Sequence, residues 1–454
     1  MQINPKIFKA YDIRGVYPEE INEEAVYQIG QAFIEFLNSQ GEAGNRQFVV
    51  ARDARFSSDN LAEVLIQSLI SSSCDVIDIG RASTPLFYWA IIKEKAAGGI
   101  IITASHNPAQ FNGLKFCKQG AETIDYETGL FKIREIALRN QFFTVSPSTG
   151  KAIQKNLLSE YVGFLKEKSD LGAIKPLKII IDCGNGIMGP EIIELFKELP
   201  CQTEILFGEP DGDFPNHEAN PLKEENLIAL RERILAGAAD LGIAFDGDGD
   251  RIGFLDEKGE VVRGDFITVL IAAELLKQNP GEKIFYEIRS SRVVPEVVRE
   301  NGGQPILGRA GHSLIKNQMR RENILFGGEL SGHYFFRDLG FTDNALAAML
   351  EILKILSREQ KAFSQVAQPL KRYYLSGEIN FTVSDPDKKI EDIESRYSGA
   401  EIKKIDGITV EYPDWWFNLR KSNTEPLVRL NIEANSPELL KKKKKELFNL
   451  LEKK

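Results

Sequence analysis

Short apolar runs rich in Ile, Val and Leu, each ending abruptly in a loop of Asp, Gly, Ser or His, recur along this chain with helical periodicity between them. A run of four to seven such residues bounded by turn formers reads as a buried strand, and strands alternating with helices build α/β units. The first round is strand 48–52, helix 58–71, strand 76–79, helix 85–95 and strand 99–103, giving a largely parallel sheet. Residues 146–150, Ser-Pro-Ser-Thr-Gly, have the composition of a linker. The pattern restarts with a helix at 158–168 and a strand at 177–182, and closes on strand 241–245. After a hairpin over 252–262, a third round runs from helix 266–277 through strands at 283–288, 305–307 and 324–326 to a helix at 344–357. Beyond about residue 368 strands dominate, at 373–383 and 427–432, with a helix at each flank. The expected fold class is α/β: three similar mixed α/β domains over 1–150, 151–256 and 257–367, then a smaller α+β domain over 368–454. A chain of 454 residues accommodates that number of cores.

Charge narrows the partners. A net charge of -9 argues against nucleic acid, which needs a basic excess or stripe. The one basic run, Lys441 to Lys445, falls in a terminal helix capped by Ser436, where lysines face solvent and complement the helix dipole. Residues 1–10 lack the apolar core of a signal peptide, and the longest apolar stretch, 266–276, is too short to span a bilayer. A cytoplasmic location is expected, without a membrane or nucleic-acid partner. Cys74, Cys117, Cys183 and Cys201 show no metal-ligand spacing and read as reduced thiols.

The loops carry the chemistry. Asp246, Asp248 and Asp250 alternate with glycines directly after strand 241–245, so a short backbone can turn three carboxylates onto one point. Hard oxygen ligands of that kind suit magnesium. A calcium loop would also use these spacings, with Glu257 at its twelfth position. Its sixth position demands glycine and is Arg251, and a strand rather than a helix precedes it. Arg251 suits a phosphate oxygen. Ser105 follows the apolar run 99–103, and Asn107-Pro108 forces a turn after it. No Gly-x-Ser-x-Gly elbow surrounds it, so a hydrolase triad is not expected. A phosphoserine there would supply a further ligand to the aspartate site. Arg420, Ser422, Asn423 and Thr424 offer a guanidinium, hydroxyls and an amide suited to a phosphate held without reacting. Residues 327–333, Gly-Gly-Glu-Leu-Ser-Gly-His, read equally as a glycine-rich turn or a functional loop. Three of the four histidines, His106, His312 and His333, lie in or near such loops.

Together these residues resemble the α-D-phosphohexomutases, and within them the bacterial and archaeal phosphomannomutase/phosphoglucomutase group. The resemblance covers essentially the whole chain. It includes residues 9–15 (Lys-Ala-Tyr-Asp-Ile-Arg-Gly), the serine loop extended to Lys115, residues 214–217 (Phe-Pro-Asn-His), 246–251, 311–313, 327–333 and the C-terminal phosphate loop. It implies a heart-shaped molecule with a central cleft and one loop from each domain. Ser105 would be the phosphoserine and would ligate magnesium together with the three aspartates. A hexose 1,6-bisphosphate would be intermediate and activator, interconverting 1- and 6-phosphates of mannose or glucose. Arg251 and Lys115 would stabilise the moving phosphoryl group. Arg14, Lys115, His106 and His333 would be the acid/base candidates. Tyr11, His312, Glu329 and Ser331 would contact the sugar, and Arg420, Ser422, Asn423 and Thr424 the distal phosphate. Arg289 stands where the group often has lysine, so its role is open.

Phosphoglucosamine mutases of the family usually carry Gln and Gly where this chain has Leu330 and Asn423, which favours mannose and glucose substrates. A magnesium-dependent sugar phosphatase and a non-catalytic phosphosugar-binding protein are the alternatives of other classes. A monomer or weak homodimer is expected.

Overall fold

Alternation along the central strands decides how the layers form. In the computed structural model, which describes residues 3–41, 46–139, 150–421 and 427–452, Val49 and Ala51 of the strand Gln47–Arg52 enter one apolar cluster while Phe48 and Val50 enter another. The same period of two sends Ile179 and Ile181 one way and Ile180 the other, and Ile284 one way and Phe285 the other. The first set from each of the three sheets joins a single shared core, and the second set packs under helices private to its own sheet.

Four sheets order the chain. The first runs Ile13–Val16, Phe111–Lys118, Gly98–Ile102, Gln47–Arg52, Asp75–Arg81, Ala152–Gln154; the second Val261–Val262, Ile252–Leu255, Leu241–Phe245, Lys178–Asp182, Gln202–Leu206. The third runs Gln304–Gly308, Lys283–Glu287, Phe326–Gly328, Tyr334–Phe336, Thr342–Asp343. The fourth is antiparallel throughout, built around Trp415–Lys421 and Leu427–Ala434. It has its own core, with Trp415, Phe417 and Leu430 packed against Leu447 and Leu451 of the helix Pro437–Glu452.

The first three sheets are mixed in one particular way. Parallel strands form one side, and the strand that ends in a functional loop pairs antiparallel with the strand that follows it. Thus Ile102 faces Leu114, Phe245 faces Ile252, and Gly328 faces Tyr334. Each candidate loop is therefore a hairpin connection, clamped on both sides by ladder hydrogen bonds, rather than a strand-to-helix crossover.

Several boundaries differ from those expected. Ala152–Gln154 pairs with Asp75–Arg81 and completes the first sheet, so the break expected at 150 lies beyond 154. Gly150 permits this, because a Cβ there would meet Cys74 O at 1.8 Å. Val261–Val262 likewise belongs to the second sheet, beyond the expected limit of 256. The strand expected at 324–326 is Phe326–Gly328, since glycine is required where Thr268 Oγ1 would lie 1.9 Å from a Cβ on Gly328. The single strand expected over 373–383 is two, Tyr374–Leu375 and Ile379–Thr382, separated at Gly377 with φ of 69°. Among the described residues no helix is long and apolar enough to cross a membrane.

Candidate active site

The serine loop and the aspartate loop meet through backbone as much as through side chains. Ser105 is buried in the left-handed region, φ 52°, and its N–H donates to Thr103 Oγ1 at 2.9 Å. Its Oγ donates to Asp246 Oδ2 at 2.7 Å and lies 3.1 Å from His106 Nδ1. The loops come this close because Gly247 has no side chain: a Cβ there would fall 2.5 Å from Ser105 O.

Asp246, Asp248 and Asp250 are buried, with one oxygen from each within 4.8 Å of the others. Lys115, on the strand that returns from the serine loop, donates to Asp248 Oδ2 at 2.6 Å and Asp250 Oδ2 at 2.5 Å. Those two carboxylates hold its ammonium above its ordinary pKa despite burial. Burial, together with Asp250 and Asp248, pushes Asp246 well above the usual carboxylate range. Despite burial, Lys115 holds Asp248 and Asp250 below it.

Arg14 and Arg251 flank the cluster. Arg14 donates to Asp12 Oδ2 at 2.9 Å and to Asn107 Oδ1 at 2.5 Å. Arg251 donates through its backbone N–H to Asp246 Oδ1 at 3.0 Å and through Nε to His333 Nε2 at 3.1 Å. His333 Nδ1 lies 3.5 Å from Asp343 Oδ2 and 3.7 Å from Asp250 Oδ1. The Arg251 Nε–H makes Nε2 the acceptor and so puts the proton on Nδ1, which makes no hydrogen bond. Burial first, and then Arg251, push both His106 and His333 well below the ordinary histidine value.

From His333 a chain of contacts leads away from the serine. His312 stacks on His333 with ring centres 5.5 Å apart, and Tyr11 meets His312 edge-on at 5.6 Å. Glu329 donates its N–H to His333 O and accepts from Arg289 Nη2 at 3.2 Å. Arg289 also donates to Glu287 at 2.8 Å and lies 3.9 Å from Glu378. Glu378 accepts from Arg420 at 2.8 Å and from Arg429 at 3.0 Å. Ser331 sits on the Glu329 turn and lines a cavity of about 180 Å³ with Arg289 and Glu378. The expected residues of the first three loops, with Tyr11, Arg289 and Arg420, thus lie along one continuous path. Ser422, Asn423 and Thr424 fall outside the described residues. Glu257, the calcium-loop candidate, instead accepts from the Ser364 N–H at 3.0 Å.

Family descriptions match this chain in four successive pieces. Phosphoglucomutase/phosphomannomutase alpha/beta/alpha domain I matches residues 5–143, domain II 159–259, domain III 263–373, and the C-terminal domain 378–450. A phosphomannomutase of Escherichia coli is 38% identical across 98% of both chains, and one of Vibrio cholerae is 39% identical across 98% of both. A solved phosphoglucomutase/phosphomannomutase family protein of Burkholderia thailandensis superposes with a TM-score of 0.90 at 34% identity, covering 99% of this chain and 97% of its own. The chain belongs to the phosphoglucomutase/phosphomannomutase family. It is a phosphohexomutase, an enzyme that interconverts hexose 1- and 6-phosphates, and the phosphatase, binding-protein and glucosamine-specific alternatives are not favoured.

Several groups of this phosphohexomutase's site were not singled out by their sequence. Thr84 Oγ1 donates to Asp248 Oδ2 at 2.7 Å, and the Thr84 N–H to Asp248 O at 2.9 Å. Lys316, fully buried, donates to Asp343 Oδ2 at 3.1 Å and to Tyr88 OH at 2.9 Å. A lysine on the apolar face of a helix, beside Ile315 and Met319, was the available signal for a buried partner. The aspartates fit a hard divalent cation on their own chemistry. Asp248 Oδ1 and Asp250 Oδ1 are buried and accept no hydrogen bond, which is costly for carboxylate oxygens unless a cation takes them up.

Proposed function

We propose that Ser105 Oγ is the phosphoryl carrier of this mutase, that Asp246, Asp248 and Asp250 hold magnesium beside it, and that the substrates are mannose and glucose phosphates. One observation carries the reading: the Ser105 hydroxyl lies against the one carboxylate of the trio that Lys115 does not hold. Bound magnesium would neutralise phosphoryl oxygens and raise the electrophilicity of phosphorus.

The chain's own residues would then act as follows. The phosphorus–Oγ bond of phosphoserine breaks as a sugar hydroxyl oxygen bonds to phosphorus, and the hydroxyl proton passes to His333 Nε2, whose other ring nitrogen faces Asp343 at 3.5 Å. Arg251 would leave that nitrogen for the phosphoryl oxygens, and Lys115 and Arg14 would add positive charge. His106, neutral beside Ser105 Oγ, would relay a proton to it, one ring nitrogen giving up its hydrogen as the other takes up a proton from solvent. Lys115 and Arg14 are held charged by carboxylates, so they suit charge stabilisation better than proton abstraction. Return of the second phosphate from a reoriented hexose 1,6-bisphosphate resets the serine. Glu329 and Ser331 would bind the 3- and 4-hydroxyls, with Tyr11, His312 and Arg289 beside them, and Arg420 with Ser422, Asn423 and Thr424 would hold the distal phosphate. Mannose and glucose differ at position 2, which such contacts leave unread. We place the enzyme in the cytoplasm as a monomer or weak homodimer acting on free phosphosugars.

Intact mass tests the carrier. Incubation with glucose 1,6-bisphosphate and magnesium should add one phosphoryl group to the wild type and none to Ser105→Ala. A wild type that never gains the mass, or an alanine variant that does, overturns the assignment.

A further inference from the structure

We propose that Arg55 is the positioning residue that sets the Ser105 backbone for in-line transfer, with Phe214 of the second domain as the platform that holds Arg55. The proposal rests on the phosphoserine reading above.

Arg55 is fully buried, yet it touches neither the aspartate oxygens nor the path toward the sugar loop. All five of its guanidinium N–H groups are used. Nη2 donates to Ser105 O at 2.9 Å and Asn107 O at 2.6 Å, Nη1 to Pro108 O at 2.7 Å and Phe111 O at 3.0 Å, and Nε to Asp53 Oδ2 at 3.1 Å. Asp53 is itself fixed by the Arg55 N–H at 3.0 Å and Ser58 Oγ at 2.6 Å. One planar fork therefore gathers four carbonyls of the serine loop and the strand that follows it. With Ser105 buried in the left-handed region, its own carbonyl would be left unpaired without such a donor. Lysine offers its donors at a single point and cannot reproduce the fork.

The second domain completes the device. The Phe214 ring lies 5.0 Å from the Arg55 guanidinium carbon, and a Cβ on Gly247 would come within 3.6 Å of that ring. A Cβ on Gly212 would meet Phe56 N at 2.3 Å, so the loop that carries Phe214 is pressed onto the Arg55 backbone. Phe214, the first residue of the 214–217 motif and without a role in the chemistry above, thereby ties Arg55 and its serine-loop carbonyls to the aspartate loop across the domain boundary.

A positioning role predicts a division of effects that loss of folding does not produce. Arg55→Lys, loaded with glucose 1,6-bisphosphate, should transfer its phosphoryl group to glucose 1-phosphate about 100-fold more slowly in a single turnover, the scale set by roughly 1 Å of misplacement. KM should change less than about twofold, because no sugar contact is lost. Hydrolysis of the phosphoenzyme without sugar should not slow in parallel, so the ratio of transfer to hydrolysis falls. Phe214→Leu should show the same signature more weakly, and it decides the matter if Arg55→Lys does not fold. Transfer at the wild-type rate in the folded variants, or transfer and hydrolysis falling together with folded fraction, overturns the positioning role alone. A wild type that takes no phosphoryl group overturns the carrier reading as well.

Discussion

Glu191 shows what a single buried charge does at the junction of the first two domains. Its carboxylate accepts the Ser83 N–H at 3.1 Å, and Ser83 caps the helix Thr84–Lys93 whose first residue holds Asp248. Burial, only partly offset by the Ser83 bonds, pushes its pKa from 4.5 up to about 7. Between those values the folded chain binds a proton that the unfolded chain has released, so stability falls as pH rises from about 4.5 to about 7 and the penalty is complete above it. Glu191→Gln should remove that slope and raise unfolding free energy above neutrality, by up to about 3 kcal/mol at 1.36 kcal/mol per pKa unit. Urea melts of both proteins at pH 5 and pH 8 check it: an identical pH dependence would show that Glu191 is not the group responsible.

At the scale of elements, the hairpin connections fix which loops can touch. Ser105 and the aspartates leave adjacent sheets, and their approach depends on Gly247 and on Gly186, where a Cβ would lie 2.9 Å from Gly247 Cα. Backbone stands on both sides, so there is no flexible side chain to yield. Gly247→Ala should push the two loops apart and cost about 100-fold in kcat, with a smaller loss of thermal stability. Steady-state kinetics beside a melting curve measures both, and a kcat within about twofold of wild type would show that the loops absorb the methyl group. These elements were legible in outline. Strand 241–245, helix 58–71 and helix 158–168 end where hydrophobic period and turn residues say they should. Phe326–Gly328 was misplaced because glycine reads as a breaker, and only the packing of Thr268 and Phe285 shows why it belongs inside a strand.

The whole molecule divides unevenly. Three domains share one apolar core, whereas the fourth keeps a core of its own and meets the third through polar contacts. Arg292 donates to Tyr412 O at 2.6 Å and to Pro413 O at 3.2 Å, and its N–H to Glu433 Oε1 at 3.2 Å. A polar interface of this kind sets the position of Arg420 without contributing much to the stability of the other three domains. Arg292→Ala should raise KM for sugar phosphates about tenfold, the equivalent of losing roughly 1.4 kcal/mol of charged hydrogen bonding. The kcat and the main melting transition should change little. An unchanged KM would mean that Arg420 is placed by the fourth domain alone.

Sequence by itself determined the strand-and-loop units, the chemical inventory of each loop and the family, because period, turn residues and short motifs are local properties. Tertiary structure alone decided who meets whom. It set Ser105 against Asp246, put Lys115 between Asp248 and Asp250, and gave Arg55 the carbonyls of the serine loop. The reason is physical. A buried charge must find its partner through space, and residues about fifty to a hundred and forty positions apart become partners only after the sheets that carry them have packed.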